Sequence, residues 1–192
     1  MTGLLDLNAT ISGHGTRDTL INSLAGNLQY SSKDGYIYHD AQAAKLLYVL
    51  NVTNMFRDKI PDLKKAGFHY DSLIVRGSME KGILTISPAR LDAPIMEIAA
   101  HGTVDVPQEK VDFTALVAPL QTINKFQKMI PIISKIIPES LVAVPVQISG
   151  DFSDIKVRTM SMSAISKSVF GTMVDALSSP VRVLEDSSEE EK

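Results

Sequence analysis

The chain has 192 residues, of which 44% are apolar and 6% aromatic, with 19 basic and 22 acidic side chains, four histidines and no cysteine. That length suits one domain, able to bury roughly 70% of the surface exposed in the unfolded chain. Disulfides and thiolate metal sites are excluded, and the acidic tail after Leu184 leaves a near-neutral body without the basic patch that nucleic-acid binding needs.

Met1 to Asp6 lacks the basic region and apolar run of a secretory signal. The longest apolar region, 129–148, is broken by Lys135, Glu139, Pro131, Pro138 and Pro145, so it does not read as a transmembrane helix. Leu5, Leu7, Ala9 and Ile11 alternate with polar residues, which predicts an opening strand ended by Gly13-His14-Gly15. Thr16 or Asp18 is placed to cap a short helix running through Leu24, stopped by Gly26. The runs 27–30 and 36–39 then read as a hairpin around Ser32-Lys33-Asp34-Gly35, because Asp-Gly favours tight reversals. Asp40 fits the N-cap of a helix over 41–50, followed by a shorter helical piece over 54–59.

From Gly67 to Pro119 the chain reads as four strands of an antiparallel meander. Met96, Ile98, Ala100, Gly102, Val104 and Val106 share one face of the third, and Val111, Phe113, Ala115 and Val117 share one face of the fourth. Met79-Glu80-Lys81-Gly82, Leu91-Asp92-Ala93-Pro94 and Pro107-Gln108-Glu109-Lys110 supply the turns. A helix over 120–130 and a short one over 132–137 are expected next. Val142, Val144, Val146 and Ile148 give another strand, with 155–158 as its partner. Ile165, Val169, Met173 and Ala176 recur at helical spacing over 161–177. The tail 185–192 reads as solvated and disordered. The fold class is therefore α+β and β-rich: a curved antiparallel sheet forming an open groove, with helices flanking it or capping an end.

Little of this is catalytic. His14, His39, His69 and His101 are far apart in sequence, and none has a second metal-type ligand at helical spacing, so no metal site is assigned. Ser78-Lys81 and Ser153-Lys156 match Ser-x-x-Lys but fall in turns or strands, whereas that serine must open a helix. Asp62, Asp71, Asp92 and Asp112 read as ordinary turn or strand aspartates. Apolar residues on both faces of parts of the sheet fit either a two-sided core or a groove for a hydrocarbon chain.

The order Thr19-Leu20-Ile21-Asn22-Ser23-Leu24-Ala25-Gly26-Asn27-Leu28, Lys33-Asp34-Gly35-Tyr36-Ile37, 44–51 and Gly67-Phe68-His69-Tyr70-Asp71-Ser72-Leu73 resembles the C-terminal domain of the AsmA family. The likeness continues through Lys81-Gly82-Ile83-Leu84, Ala100-His101-Gly102-Thr103-Val104-Asp105, Val111-Asp112-Phe113, Val117-Ala118-Pro119-Leu120 and 130–133. It closes on Val144-Pro145-Val146-Gln147-Ile148-Ser149-Gly150-Asp151-Phe152, and so spans roughly Gly3 to Leu184, within an expected domain over 1–184. AsmA-like and TamB-like proteins of Gram-negative bacteria are held in the inner membrane by an N-terminal helix. They cross the periplasm as a long curved sheet with an apolar groove, and they are implicated in phospholipid transport and outer-membrane homeostasis.

The resemblance implies a non-enzymatic periplasmic domain, a fragment of a longer anchored chain, with phospholipid acyl chains as partners and no cofactor. Met96, Ile98, Val104, Val111, Phe113, Val117, Val142, Val144, Val146 and Ile148 are the expected groove face. The alternative is a structural module that caps the sheet and docks a membrane or partner protein through Ile165, Val169 and Met173. An esterase would require a serine within hydrogen-bond reach of one of the histidines.

Overall fold

The computed structural model describes residues 2–16, 19–38, 67–119 and 143–178. The expected helices over 41–50, 54–59, 120–130 and 132–137, the tail 185–192, and the residues His39, Asp62 and Val142 lie outside the described residues. The rest is one open antiparallel sheet of eight strands in strictly sequential order. The strands are β1 (Leu4–Ser12), β2 (Ala25–Ile37), β3 (Phe68–Glu80), β4 (Ile83–Ala93), β5 (Met96–Asp105), β6 (Lys110–Pro119), β7 (Val144–Asp151) and β8 (Asp154–Thr159). A helix, α1 (Lys167–Ser178), follows.

Short connections fix the pairs β3–β4, β4–β5, β5–β6 and β7–β8, because an antiparallel pair is the only pairing that so short a loop permits. Between β3 and β4 the loop is Lys81-Gly82, with φ of 50° and 76°. Both residues are left-handed, as a type I′ reversal demands, and its twist matches that of the strands. Pro94-Ile95 joins β4 to β5, and the turn from β5 to β6 carries Glu109 at φ 54°. The meander expected from Gly67 to Pro119 and the hairpin of β7 with β8 are thus both present.

Two local expectations are corrected. Ser32-Lys33-Asp34-Gly35 does not reverse the chain: β2 runs straight through it, pairing Lys33 with Ser72 and Gly35 with Tyr70. Asp34 takes φ 48° within the strand, and Gly35 is buried where a Cβ would collide with the Tyr70 hydroxyl and the Thr2 carbonyl. The glycine is needed here for close approach. Tyr70 Oη, fully buried, donates to the Thr2 carbonyl at 2.8 Å and lies 2.8 Å from Ser32 Oγ. This is a tertiary use that a local turn signal cannot reveal.

The second correction concerns helices. Among the described residues, only a 3₁₀ turn at Ile21–Ser23 stands where the first helix was expected. Likewise 161–177 divides into a 3₁₀ turn, Met162–Ala164, and α1, with Ile165 in extended geometry between them.

The strands have two apolar faces. On one, α1 buries Phe170, Met173, Ala176 and Leu177 against Ala99, Leu116, Ala118 and Ala143. Burying a side chain such as Leu116 or Met173 contributes about 1.5–3 kcal/mol. A second cluster joins Phe68, Tyr70, Ala93, Met96, Val117, Val144 and Val146.

Candidate functional site

Residues directly opposite in an antiparallel ladder point to the same side of the sheet, so the register assigns each side chain to a face. Leu5, Ser32, Leu73, Leu91, Ile98, Val117 and Val144 form one row from β1 to β7. Next come Leu7, Tyr30, Val75, Ala89, Ala100, Ala115 and Val146, then Ala9, Leu28, Gly77, Ile86, Gly102, Phe113, Ile148 and Val157. A fourth row is Ile11, Gly26, Met79, Leu84, Val104, Val111, Gly150 and Ile155. One nearly all-apolar face therefore runs across all eight strands.

All the described residues of the expected groove face meet on it: Met96, Ile98, Val104, Val111, Phe113, Val117, Val144, Val146 and Ile148. Their exposure is graded. Met96, Val117 and Val146 are fully buried and Val144 nearly so, whereas Ile98, Val104, Val111, Phe113 and Ile148 are half-buried. The fourth row stays partly accessible along its whole length, and at its β1 end Ile11 is 50% exposed. With strands about 4.8 Å apart, eight strands give this row a run of roughly 34 Å.

Several members escaped the sequence reading, among them Leu28, Leu84, Ile86, Leu91 and Ile155, whereas Leu73, Val75 and Met79 were expected to share one side of β3 and do. On β4 the cause is a bulge between Ile86 and Ala89 that sets two residues, Ser87 and Pro88, against one on each neighbour. The extra residue shifts the phase of the alternation, so period two is broken in the sequence while the face is kept in space. The β1 stripe was visible, but its continuity with the other strands depends on register.

The helix stripe is used within the chain. Met173 is completely buried, and Ile165 and Val169 are half-buried against the same cluster under α1. The residues expected to dock a membrane or a partner thus cover this protein's own sheet.

On that same face lies a polar cluster that the sequence did not single out. Arg90 Nε and Nη2 both reach Asp92 Oδ1 at 2.8 Å, and Nη2 reaches Glu97 Oε2 at 3.2 Å. Ser72 Oγ donates to Asp92 Oδ2 at 2.7 Å, and Arg90 Nη1 donates to the Ala176 carbonyl in the last turn of α1. The three charged side chains are only 6%, 13% and 8% exposed. Burial pushes Glu97 up to about 7; Arg90 opposes the rise and the charge of Asp92 adds to it. The cluster pins the helix end, satisfying a carbonyl that α1 cannot satisfy itself.

The histidines stand apart. His69 lies against Tyr36 with the rings tilted and their centroids 4.8 Å apart, and His101 Nδ1 is buried with no hydrogen-bond partner among the described residues. Ser23 Oγ accepts from the His14 backbone N–H at 2.7 Å, a contact with the main chain and not the imidazole. Among the described residues no group of three or more His, Asp or Glu is arranged to hold a metal ion, and no helix is long and apolar enough to cross a membrane.

Comparison with protein-family models, with curated proteins and with solved structures finds no match.

Proposed function

We propose that the protein is a non-enzymatic, AsmA-like periplasmic domain whose apolar face carries phospholipid acyl chains between membranes. The observation that carries this reading is the fourth row, Ile11–Met79–Leu84–Val104–Val111–Ile155, which crosses every strand and stays partly open to solvent throughout. An acyl chain laid along it buries methylenes at about 0.8 kcal/mol each. Contacts of this kind have no direction and no single deep minimum, so the chain is held while it slides. Headgroups remain in water beyond the half-buried end of the sheet, and the fully buried end around Met96, Val117 and Val146 serves as the rigid wall.

The role needs no reactive group. The docking alternative loses its main support because Ile165, Val169 and Met173 already pack on Leu116, Ala99 and Ala118. The test is organic extraction of purified protein followed by mass spectrometry, alongside Val104→Arg with Val111→Arg. Phospholipid co-purifying with the parent and lost from the double variant supports the reading. Equal, background-level lipid in both overturns it.

A further inference from the structure

In the cluster beneath α1, two buried carboxylates share one guanidinium. Asp92 is well satisfied: its Oδ1 lies 2.8 Å from both Nε and Nη2 of Arg90, and its Oδ2 accepts from Ser72 at 2.7 Å. Glu97 meets the same guanidinium through Nη2, at the longer distance of 3.2 Å. One positive charge does not neutralise two acids that water barely reaches, so the less well held acid keeps a proton, and that acid is Glu97. Burial, foremost, pushes its carboxyl up to about 7.

Among the described residues, the other charges on this side are remote or solvated. Lys33 of β2 lies in the same cross-strand row, beyond Ser72, and is exposed. Arg76 of β3 and His101 of β5 share the face but stand two rows further along their strands. On β6, Ala118 is opposite Glu97 and Leu116 follows in the next row, and on α1 the nearby Asp175 is exposed.

The helix depends on this sheet for its shape. With 12 residues it is too short to persist alone in water, and Gly171 stands inside it with open space where a side chain would sit. Phe170, Met173 and Leu177 join the apolar cluster of Ala99, Leu116 and Ala118, whereas the last turn is tied to β4 through Arg90 and the Ala176 carbonyl.

We infer that α1 is a proton-controlled latch: protonated Glu97 leaves Arg90 to Asp92 and the helix end, and loss of that proton favours a state in which α1 lifts off β4 and β5. Lifting returns Glu97 to water and bares Ala99, Leu116 and Ala118, on the face opposite the open apolar row. The closed state holds the proton up to about 7 and the open state releases it near 4.5, so closure is firmest at low pH and weakens as pH rises between those values. At a factor of ten per pH unit, the opening constant rises about 300-fold. The latch needs no lipid, so it and the proposed transport can fail separately.

Hydrogen exchange of the α1 amides from pH 4 to 8.5, with rates taken relative to those of the unstructured chain, tests this in the parent and in Glu97→Gln. The opening constant over residues 173–177 should rise about 300-fold in the parent and stay level in the variant. Low urea should leave this opening unchanged, while amides of β6 and β7 exchange more slowly and respond to urea, the mark of a local opening. A level profile in the parent overturns the inference, and this arm stands even if the variant does not fold. An equal rise in Glu97→Gln overturns it too, as do α1 amides that exchange only in step with β6 and β7.

Discussion

Replacing Glu97 by glutamine removes a titrating proton while keeping an oxygen that can accept from Arg90. Glu97 holds its proton more tightly in the folded chain, at about 7 against an ordinary value of 4.5, chiefly because β5 and α1 bury it. The sign follows from linkage: a carboxyl whose folded value is raised stabilises the fold at low pH, and that stability is lost as pH climbs from about 4.5 through about 7. At about 1.4 kcal/mol per pH unit, the loss amounts to about 3 kcal/mol. Glu97→Gln has no such term. The two proteins should therefore be about equally stable near pH 4, and the variant should be ahead by about 3 kcal/mol at pH 8. For a chain of this size that corresponds to about 6–12 °C in melting temperature. Thermal and urea unfolding of both proteins across pH 4 to 8.5 measures the difference directly, since every other titrating group is common to the pair. Parallel profiles would mean that Glu97 is ionised without penalty in the folded state, and the account of the buried cluster would be wrong.

Arg90→Met should destabilise by about 3–5 kcal/mol in urea unfolding at pH 8, since it leaves Asp92 and Glu97 buried without their cation and the Ala176 carbonyl without its donor. Leu116→Ala, at a fully buried position beneath α1, should cost about 2–5 kcal/mol and expose amides of the helix to exchange. Tyr70→Phe should cost about 1–2 kcal/mol by stranding Ser32 and the Thr2 carbonyl, measured by chemical denaturation. Lys81→Asn should stabilise slightly, by up to about 1 kcal/mol, because asparagine accepts the left-handed geometry of the β3–β4 turn more readily than lysine.

The amino-acid sequence determined the properties that belong to a single strand or turn. Alternation in β5, β6 and β7 specified which side chains share a face, and Lys81-Gly82 and the polar run at 107–110 specified where the chain reverses. Short loops then forced β3–β4, β4–β5, β5–β6 and β7–β8 to pair, whereas β1–β2, β2–β3 and β6–β7 are joined by 12 residues or more and their pairing was decided by tertiary structure. Tertiary structure decided what depends on the residue opposite. Asp34-Gly35 carries the signal of a reversal, yet β2 continues through it because Tyr70 occupies the space above Gly35 and ties the strand to Ser32 and Thr2. Ile165, Val169 and Met173 form a stripe whose partner no local pattern can name, and that partner is the chain's own Leu116 and Ala99. Arg90, Asp92 and Glu97 look like ordinary polar positions until β4, β5 and α1 enclose them. Continuity of the apolar face is likewise a matter of register: period two says that a strand has an apolar side, whereas only the pairing from β1 to β8 aligns those sides into one surface.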